Sequence, residues 1–172
     1  IAVQKKYGRL ALPAYSIAIS SLKRVIESRE VSASVLNAIE AVLNADGRVL
    51  ARRSCLILGS RGAIGSELCR SLPSRLDNPA KNLADIDRVV AEAEERNGIL
   101  ECANLDTLPM ERWLEVDLVI GVIGESILTG GRVEHWLREG CKPSFVLVSG
   151  STKKVEFRDV MDWFDTLLHA EQ

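Results

Sequence analysis

The feature that most restricts the fold is a glycine-rich turn between a short apolar run and an amphipathic segment. The apolar run at residues 54–58 reads Ser-Cys-Leu-Ile-Leu, which is typical of a strand buried on both faces. Three regularly spaced glycines follow it, Gly59, Gly62 and Gly65. Residues 64–72 then have the apolar spacing of a helix. A strand, a glycine turn and a helix in direct succession are typical of the first unit of a parallel sheet.

Each glycine of this turn has a distinct expected role in holding an anion. Gly59 permits the tight turn, Gly62 lets a pyrophosphate approach the backbone, and Gly65 lets the helix pack closely on the strand. The free N–H groups and the dipole at the helix start would then face the phosphates. We predict a dinucleotide-binding loop, and the alternative is a glycine-rich turn that binds nothing. The predicted cofactor-binding residues of the loop are Gly59, Ser60, Arg61, Gly62, Ala63, Ile64 and Gly65.

Apolar strands alternate with amphipathic helices along the rest of the chain. Strands are predicted at residues 99–102, 117–123 and 145–149, and helices at 34–44, 108–114 and 132–139. This alternation predicts an α/β fold with a doubly wound, Rossmann-type, mostly parallel sheet that carries helices on both faces. We expect a helical arm over residues 1–47 and a Rossmann dinucleotide-binding domain over residues 48–172. A last helix should bury one face, which comprises Phe157, Val160, Met161, Phe164 and Leu168.

One interval departs from the pattern of a dinucleotide-binding fold. A second strand should follow the first helix and end in an acidic residue about 20 positions after the glycine loop. Residues 73–82 are polar and carry two prolines, so the strand is either eroded or missing from the chain. The apolar residues that follow have helical spacing and predict an amphipathic helix, marked by Leu83, Ile86, Val90 and Ala93.

The choice between NAD and NADP depends on charged residues near the glycine loop. Without a clear second strand, Asp77 is the only acid at about the right distance to bind the 2′-hydroxyl of NAD. Arg61, with Arg75 near it, could instead meet the 2′-phosphate of NADP. A third interpretation is that Arg61 is simply solvated. We predict NAD as the cofactor, with NADP as the alternative.

The charge balance of the chain excludes several classes of partner. Its 22 Lys and Arg against 24 Asp and Glu give a net charge of −2, without the basic excess that nucleic-acid binding requires. The longest uncharged apolar run, residues 10–22, is too short for the roughly 20 residues of a spanning helix. No signal peptide opens the sequence, so we expect a cytoplasmic location and neither a membrane nor a nucleic acid as partner. His135 and His169 lack ligand-spaced neighbours, so no metal site is predicted.

The order of these motifs resembles the NAD-binding domain of the S-adenosylhomocysteine hydrolase family. In that family a helix ending in Gly leads into the strand and glycine loop. A strand ending in Thr-Gly-Asn, an Ile-x-Gly-Arg motif and a last strand ending in Asn-Ile-Gly-His follow. The corresponding stretches here are residues 47–65, 120–124, 127–132 and 148–151.

The resemblance implies two further groups of site residues. The loop after the fourth strand of the family runs beside the nicotinamide-side ribose, which corresponds to Ile123, Gly124 and Glu125. Upstream, the family places a Lys and an acid four residues later against the substrate ribose. Lys23 and Glu27 have that spacing, and they are our candidate catalytic residues; the alternative is an exposed ion pair on a helix.

Some signature residues of the family are replaced, which leaves two hypotheses on function. The family's Asn after the fourth-strand Gly is Glu125, and its last Asn and His are Val148 and Ser151. The first hypothesis is an NAD(P)-binding domain of a dehydrogenase-like or hydrolase-like enzyme that acts on a nucleoside-type or other small substrate. The second is a non-catalytic nucleotide-binding or scaffold protein that keeps the Rossmann fold. Relatives of this kind commonly self-associate, so a homo-oligomer is expected.

Overall fold

The computed structural model, which describes residues 20–87, 90, 92–96, 99–151 and 155–170, is organised by a six-stranded sheet. The strand order is β3-β4-β2-β1-β5-β6. Strand β3 is antiparallel to β4, and every other neighbouring pair is parallel. The strands are β1 (Cys55–Leu58), β2 (Leu83–Ile86), β3 (Glu94–Arg96), β4 (Ile99–Cys102), β5 (Leu118–Gly121) and β6 (Val146–Ser149).

Helices connect the parallel strands and cover the sheet. A π-helical turn at Leu22–Glu27 leads into α1, and 3-10 turns occur at Leu50–Arg52 and Leu72–Arg75. The α-helices are α1 (Ser28–Ala45), α2 (Ala63–Ser71), α3 (Pro79–Asn82), α4 (Met110–Glu115), α5 (Gly130–Arg138) and α6 (Arg158–Ala170).

Apolar side chains fill both faces of the sheet, as expected for parallel strands with helices on either side. On one face, Ile57 of β1 packs in a cluster with Leu36 and Leu68, which belong to α1 and α2. On the other face, Leu56 of β1 packs in a cluster with Trp136 of α5 and other residues of α4 to α6. The predicted doubly wound α/β fold is thus confirmed, and the carboxyl ends of its parallel strands lie along one edge.

The second strand is neither eroded nor missing, and the helix predicted from Leu83 is wrong. Leu83–Ile86 forms β2, which lies between β1 and β4 in the middle of the sheet. Residues 73–82 form most of a 3-10 turn and the single helical turn α3, which lead into this strand. Four apolar-rich residues fit either period, and here parallel pairing on both sides decided the outcome in favour of a strand.

The last helix is less buried than its apolar pattern predicts. Phe157 and Val160 are in the core, whereas Met161, Phe164 and Leu168 are exposed on α6. Trp163, in the second turn of this helix, also packs against the sheet cluster, and the other apolar residues beyond the first turn stay at the surface. The expectation that all five residues are buried is therefore wrong.

Helix α1 packs against the sheet rather than standing apart from it. Leu36, Ile39 and Leu43 are almost fully buried, and they share a cluster with strands β1, β2 and β5. The domain division at residue 47 stays a prediction. Among the described helices, none combines the length and apolar character that crossing a bilayer requires.

Candidate functional site

The glycine loop lies between β1 and α2 at the carboxyl edge of the sheet, and close packing requires two of its glycines. Gly59 has a φ of 100°, and a Cβ there would lie 2.9 Å from the backbone of Ile123. A Cβ on Gly65 would lie 2.0 Å from the carbonyl oxygen of Gly59, far inside van der Waals contact. The fold therefore brings two of the predicted cofactor-binding segments, residues 59–65 and 123–125, against each other.

Gly62 occupies a different environment from the other two glycines of the loop. It precedes α2 as the N-cap, and an added Cβ would meet only the carbonyl oxygen of Gly59, at 3.4 Å. Among the described residues, no side chain caps this end of α2. The amide groups of the first turn, at Ala63 and Ile64, therefore remain available to an anion, and the helix dipole favours negative charge there.

An acidic residue that the sequence interpretation missed stands beside this loop. Asp87 follows β2 directly, is 8% exposed, and accepts a hydrogen bond from the backbone N–H of Arg61 at 2.8 Å. Its own N–H donates to the carbonyl of Cys102 at the end of β4. Asp87 comes 22 residues after Gly65 (87 − 65), close to the spacing of about 20 at which dinucleotide-binding folds place the ribose-binding acid.

Asp77, the acid predicted for that role, lies at the other end of the sheet. Its N–H donates to the carbonyl of Ala51, which precedes β1 at the amino edge. The whole length of β1 thus lies between Asp77 and the glycine loop. The structure does not bring this predicted residue together with the others.

The side chain of Arg61 turns away from the helix start and back toward the sheet. Its guanidinium forms an ion pair with the buried carboxylate of Glu101 on β4. A buried carboxylate beside an arginine neutralises much of the positive charge that would attract a phosphate. Both interpretations of Arg61 made from the sequence therefore differ from this geometry. The side chain is neither simply solvated nor an unpaired cation that could bind a 2′-phosphate.

Another acid, which no sequence pattern indicated, holds the loop after β5. Gly124 has a φ of 85°, and its N–H donates to Oε1 of Glu156 at 3.1 Å. Glu156 is 1% exposed and follows β6 in the chain, so only the tertiary structure places it here. The neighbouring Glu125 is exposed on the same loop.

A cavity of about 250 Å³ opens at this carboxyl edge between the ends of β2, β4 and β5. Ile86, Ile123 and Ile127 give it apolar walls, and the ion pair of Arg132 with Asp106 stands at its side. We call it the edge cavity. Because ligand pockets for drug-sized molecules measure roughly 300–1,000 Å³, a cavity of this size suits one flat heterocycle rather than a whole dinucleotide.

The two candidate catalytic residues contact each other. Lys23 Nζ lies 3.5 Å from Glu27 Oε1 within the π-helical turn, and their side chains are 48% and 53% exposed. This is the geometry of an exposed i,i+4 pair, which contributes little to stability. Residues 1–19, which precede this pair in the predicted helical arm, lie outside the described residues.

A buried acid on β2 provides a testable link between protonation and stability. Asp85 is 1% exposed, and burial raises its pKa from 3.8 to about 6, although the nearby Ser60 hydroxyl opposes this. The folded state therefore binds the proton more tightly than the unfolded chain. The resulting stabilisation is complete below about pH 4 and is lost as the pH rises through about 6.

The variant Asp85→Asn, which mimics the protonated acid, should affect stability differently at low pH and at high pH. We expect it to raise the free energy of unfolding by about 2–3 kcal/mol at pH 8 and by almost nothing at pH 4. Urea denaturation of both proteins at each pH measures the effect, with the exposed Asp165→Asn as a matched control. An equal effect of Asp85→Asn at both pH values would contradict a raised pKa.

Comparisons with known proteins support the fold more than a family. No family model matches the chain, and no curated protein matches it either. A solved structure that does match is a D-isomer specific 2-hydroxyacid dehydrogenase family protein from Aeromonas salmonicida subsp. salmonicida, at 19% identity with a TM-score of 0.50. The match covers 81% of this chain and 46% of that one, so the chain spans about half the length of that protein. Similarity at this level shows a shared Rossmann-like fold.

Proposed function

We propose that this chain binds NAD at the carboxyl edge of its sheet. The pyrophosphate lies on the first turn of α2 against Gly62, and the carboxylate of Asp87 holds the hydroxyls of the adenosine ribose. The adenine ring enters the edge cavity between the loops that follow β2, β4 and β5. The nicotinamide half extends along the loop of residues 123–125.

The position of Asp87 is the observation that carries this proposal. It places a buried carboxylate at the end of the second parallel strand, 2.8 Å from the amide of Arg61 in the glycine loop. An acid at that place in a doubly wound fold can accept hydrogen bonds from ribose hydroxyls. The same amide contact holds the loop and the acid at a fixed separation before any ligand arrives.

The same acid favours NAD over NADP. A carboxylate beside the ribose accepts a bond from the 2′-hydroxyl of NAD but repels the 2′-phosphate of NADP. Arg61, the cation of the glycine loop, is engaged with Glu101. Charge at this position therefore selects against the extra phosphate.

The residues of this chain would bind and orient the cofactor rather than carry out chemistry themselves. NAD, when bound, supplies a ring carbon that accepts or donates a hydride. Glu156 holds the N–H of Gly124 and so fixes the backbone along which the nicotinamide half would lie. The apolar walls of the edge cavity exclude water from one face of the adenine ring.

We further propose that the domain serves a dehydrogenase-like or hydrolase-like enzyme on a small, nucleoside-type substrate. The fold shared with a 2-hydroxyacid dehydrogenase family protein and the motif order of S-adenosylhomocysteine hydrolases support this hypothesis. The alternative, a nucleotide-binding scaffold, is favoured by the Lys23–Glu27 pair, whose side chains are 48% and 53% exposed on the π-helical turn. Reduction of NAD in the presence of 2-hydroxy acids or nucleosides would favour the enzyme, and NAD binding without turnover would favour the scaffold.

Calorimetric titration with NAD and NADP tests the proposed cofactor. The wild-type chain should bind NAD at least tenfold more tightly than NADP. The variant Asp87→Asn should keep the contact to the Arg61 amide but bind NAD about 10- to 100-fold more weakly, because a hydrogen bond to a charged group contributes about 1.5–3 kcal/mol. The difference in affinity between NAD and NADP should also become smaller in this variant.

A second variant distinguishes the two acids that the sequence and the structure suggest. Asp77→Asn changes the acid at the amino edge and should bind NAD as the wild type does. If Asp77→Asn weakens binding and Asp87→Asn does not, the ribose is held elsewhere and the proposed orientation of the cofactor is wrong. If the folded wild type takes up neither dinucleotide, the proposed function fails altogether.

A further inference from the structure

A second and larger cavity, of about 460 Å³, lies on the face of the sheet that α2 covers. Its floor is formed by Asp85 on β2 and Glu101 on β4, which are direct partners in the parallel register. Side chains on one face of adjacent strands at the same register lie next to each other. We call this the floor-acid cavity; it is separate from the edge cavity and shares no lining residue with it.

Two residues that line the floor-acid cavity each have a buried polar atom without a hydrogen-bond partner among the described residues. These atoms are Oδ1 of Asp85 and Oγ of Ser60. The two residues are only 1% and 4% exposed, respectively. The Ser60 hydroxyl lies close enough to lower the pKa of Asp85, but the two do not form a hydrogen bond of good geometry. A buried polar atom without a partner costs about 1–3 kcal/mol, so such atoms are expected to have one in the functional state.

The two floor acids differ in how their charge is compensated. Glu101 forms an ion pair with Arg61 and lies 3.8 Å from a guanidinium nitrogen of Arg96. Among the described residues, Asp85 forms no ion pair: the Cys69 thiol is a weak donor at 3.7 Å between Sγ and Oδ2, and Arg61, which lowers the pKa of Asp85, is paired with Glu101. The cavity therefore contains one buried carboxylate that lacks a cation of its own.

We propose that the floor-acid cavity binds a small molecule through a protonated primary amine, which donates to Oδ1 of Asp85 and to Oγ of Ser60. An ammonium group has three N–H donors and no acceptor, so it can satisfy both unpartnered oxygens and neutralise the floor carboxylate at once. The volume of the cavity limits the ligand to a small organic amine rather than a peptide or a nucleic acid. A neutral or anionic molecule of the same shape would leave Asp85 uncompensated.

The charged groups around Asp85 predict the pH dependence of this binding. Glu101 on β4 faces it from the neighbouring strand, and Arg61 and Arg96 reach the same carboxylate cluster. From α2, Cys69 faces it, and Arg70 lines the same cavity while paired with Glu67. An amine prefers the ionised acid, and burial raises the pKa of Asp85 to about 6. Binding should therefore strengthen from pH 5 to pH 7 and release a proton where the free acid is still protonated.

The test is an NMR titration of the amide signals of the whole 172-residue chain with n-butylammonium as the probe. We expect saturable shifts at residues 60, 69, 85 and 101 at millimolar probe concentration. At pH 7 the affinity for butylammonium should be at least tenfold higher than the affinity for n-butanol or butyrate. The variants Asp85→Asn and Ser60→Ala should each weaken binding, by about tenfold or more for the acid, while Asp165→Asn should leave it unchanged. The dispersion of the amide spectrum verifies that each variant is folded.

Three results would overturn the proposal. These are the absence of saturable shifts around the cavity, shifts of equal size with butanol, or shifts that persist unchanged in Asp85→Asn. The proposed site shares no ligand group with the NAD site, which uses Gly62 and Asp87. A failure of butylammonium binding and a failure of NAD binding are thus observed with different probes and different variants.

Discussion

Replacing Gly65 with alanine should lower the free energy of unfolding by about 3 kcal/mol or more, the largest stability effect that we expect from a single methyl group in this chain. The added Cβ would lie 2.0 Å from the carbonyl oxygen of Gly59 and 2.9 Å from Cα of Ser60. Both atoms belong to the backbone of a loop that is fixed between β1 and α2, so no flexible side chain can move aside. Helix α2 would have to shift away from the strand and lose part of its contacts to β1.

Equilibrium denaturation in urea, followed by circular dichroism, measures this loss. The matched control is Gly131→Ala, which adds the same methyl group in the first turn of α5 where no atom lies within 4 Å. Alanine is the better helix former, so the control should be neutral or slightly stabilising. Equal stability of the two variants would show that α2 does not pack against the loop as closely as the structure has it.

Replacing Gly62 with valine should abolish NAD binding and leave the fold intact. The backbone of Gly62 has a φ of −67°, which any residue adopts, and the site of its Cβ is open except for one contact at 3.4 Å. The valine side chain would therefore fit the free protein but occupy the space through which a pyrophosphate approaches the amides of α2. We expect a loss of at least about 100-fold in affinity, which corresponds to about 2.7 kcal/mol.

Calorimetry with NAD, combined with thermal denaturation without it, tests this separation of binding from folding. Gly131→Val is the matched control, because it places the same side chain in open space at the start of another helix. The control should bind NAD normally. Normal NAD binding by Gly62→Val would mean that the phosphates do not lie on α2, whereas an unfolded Gly62→Val would contradict the open space described here.

Together these two variants assign different physical roles to glycines that look alike in the sequence. Gly65 is required because the chain packs against itself at that point, and its replacement should be felt without any ligand. Gly62 is required only if something else approaches the chain there. A stable Gly62→Val that loses NAD, beside an unstable Gly65→Ala, would support the proposed orientation of the cofactor.

The glycine loop and most of the strands could be predicted because their signals are local. Residues 54–58, 99–102 and 117–123 are short apolar runs, and the structure has strands within each of them. The chain must reverse direction between a strand and a helix within a few residues. This tight turn explains why Gly59 has a positive φ and why there is no room for a Cβ at Gly65. Such constraints act over a short stretch of chain, so they leave a pattern in the sequence.

The second strand and its acid could not be predicted in the same way. Leu83–Ile86 has only four residues, with an apolar spacing that a helix also allows, and the prolines before it hid its start. Its conformation is decided by the hydrogen bonds that β1 and β4 offer on its two sides. A helix from Leu83 would not place Asp87 at the end of a strand, which leaves Asp77 as the acid at the expected spacing from the glycine loop.

The sequence by itself determined the fold class, the position of the glycine turn and the sign of the overall charge, because each depends on neighbouring residues or on composition. Only the tertiary structure decided which acids lie against the two loops of the candidate site. Asp87, Glu101 and Glu156 reach the two loops through contacts that span 26, 40 and 32 residues of chain. Contacts over such separations depend on strand order and register, which local patterns do not encode.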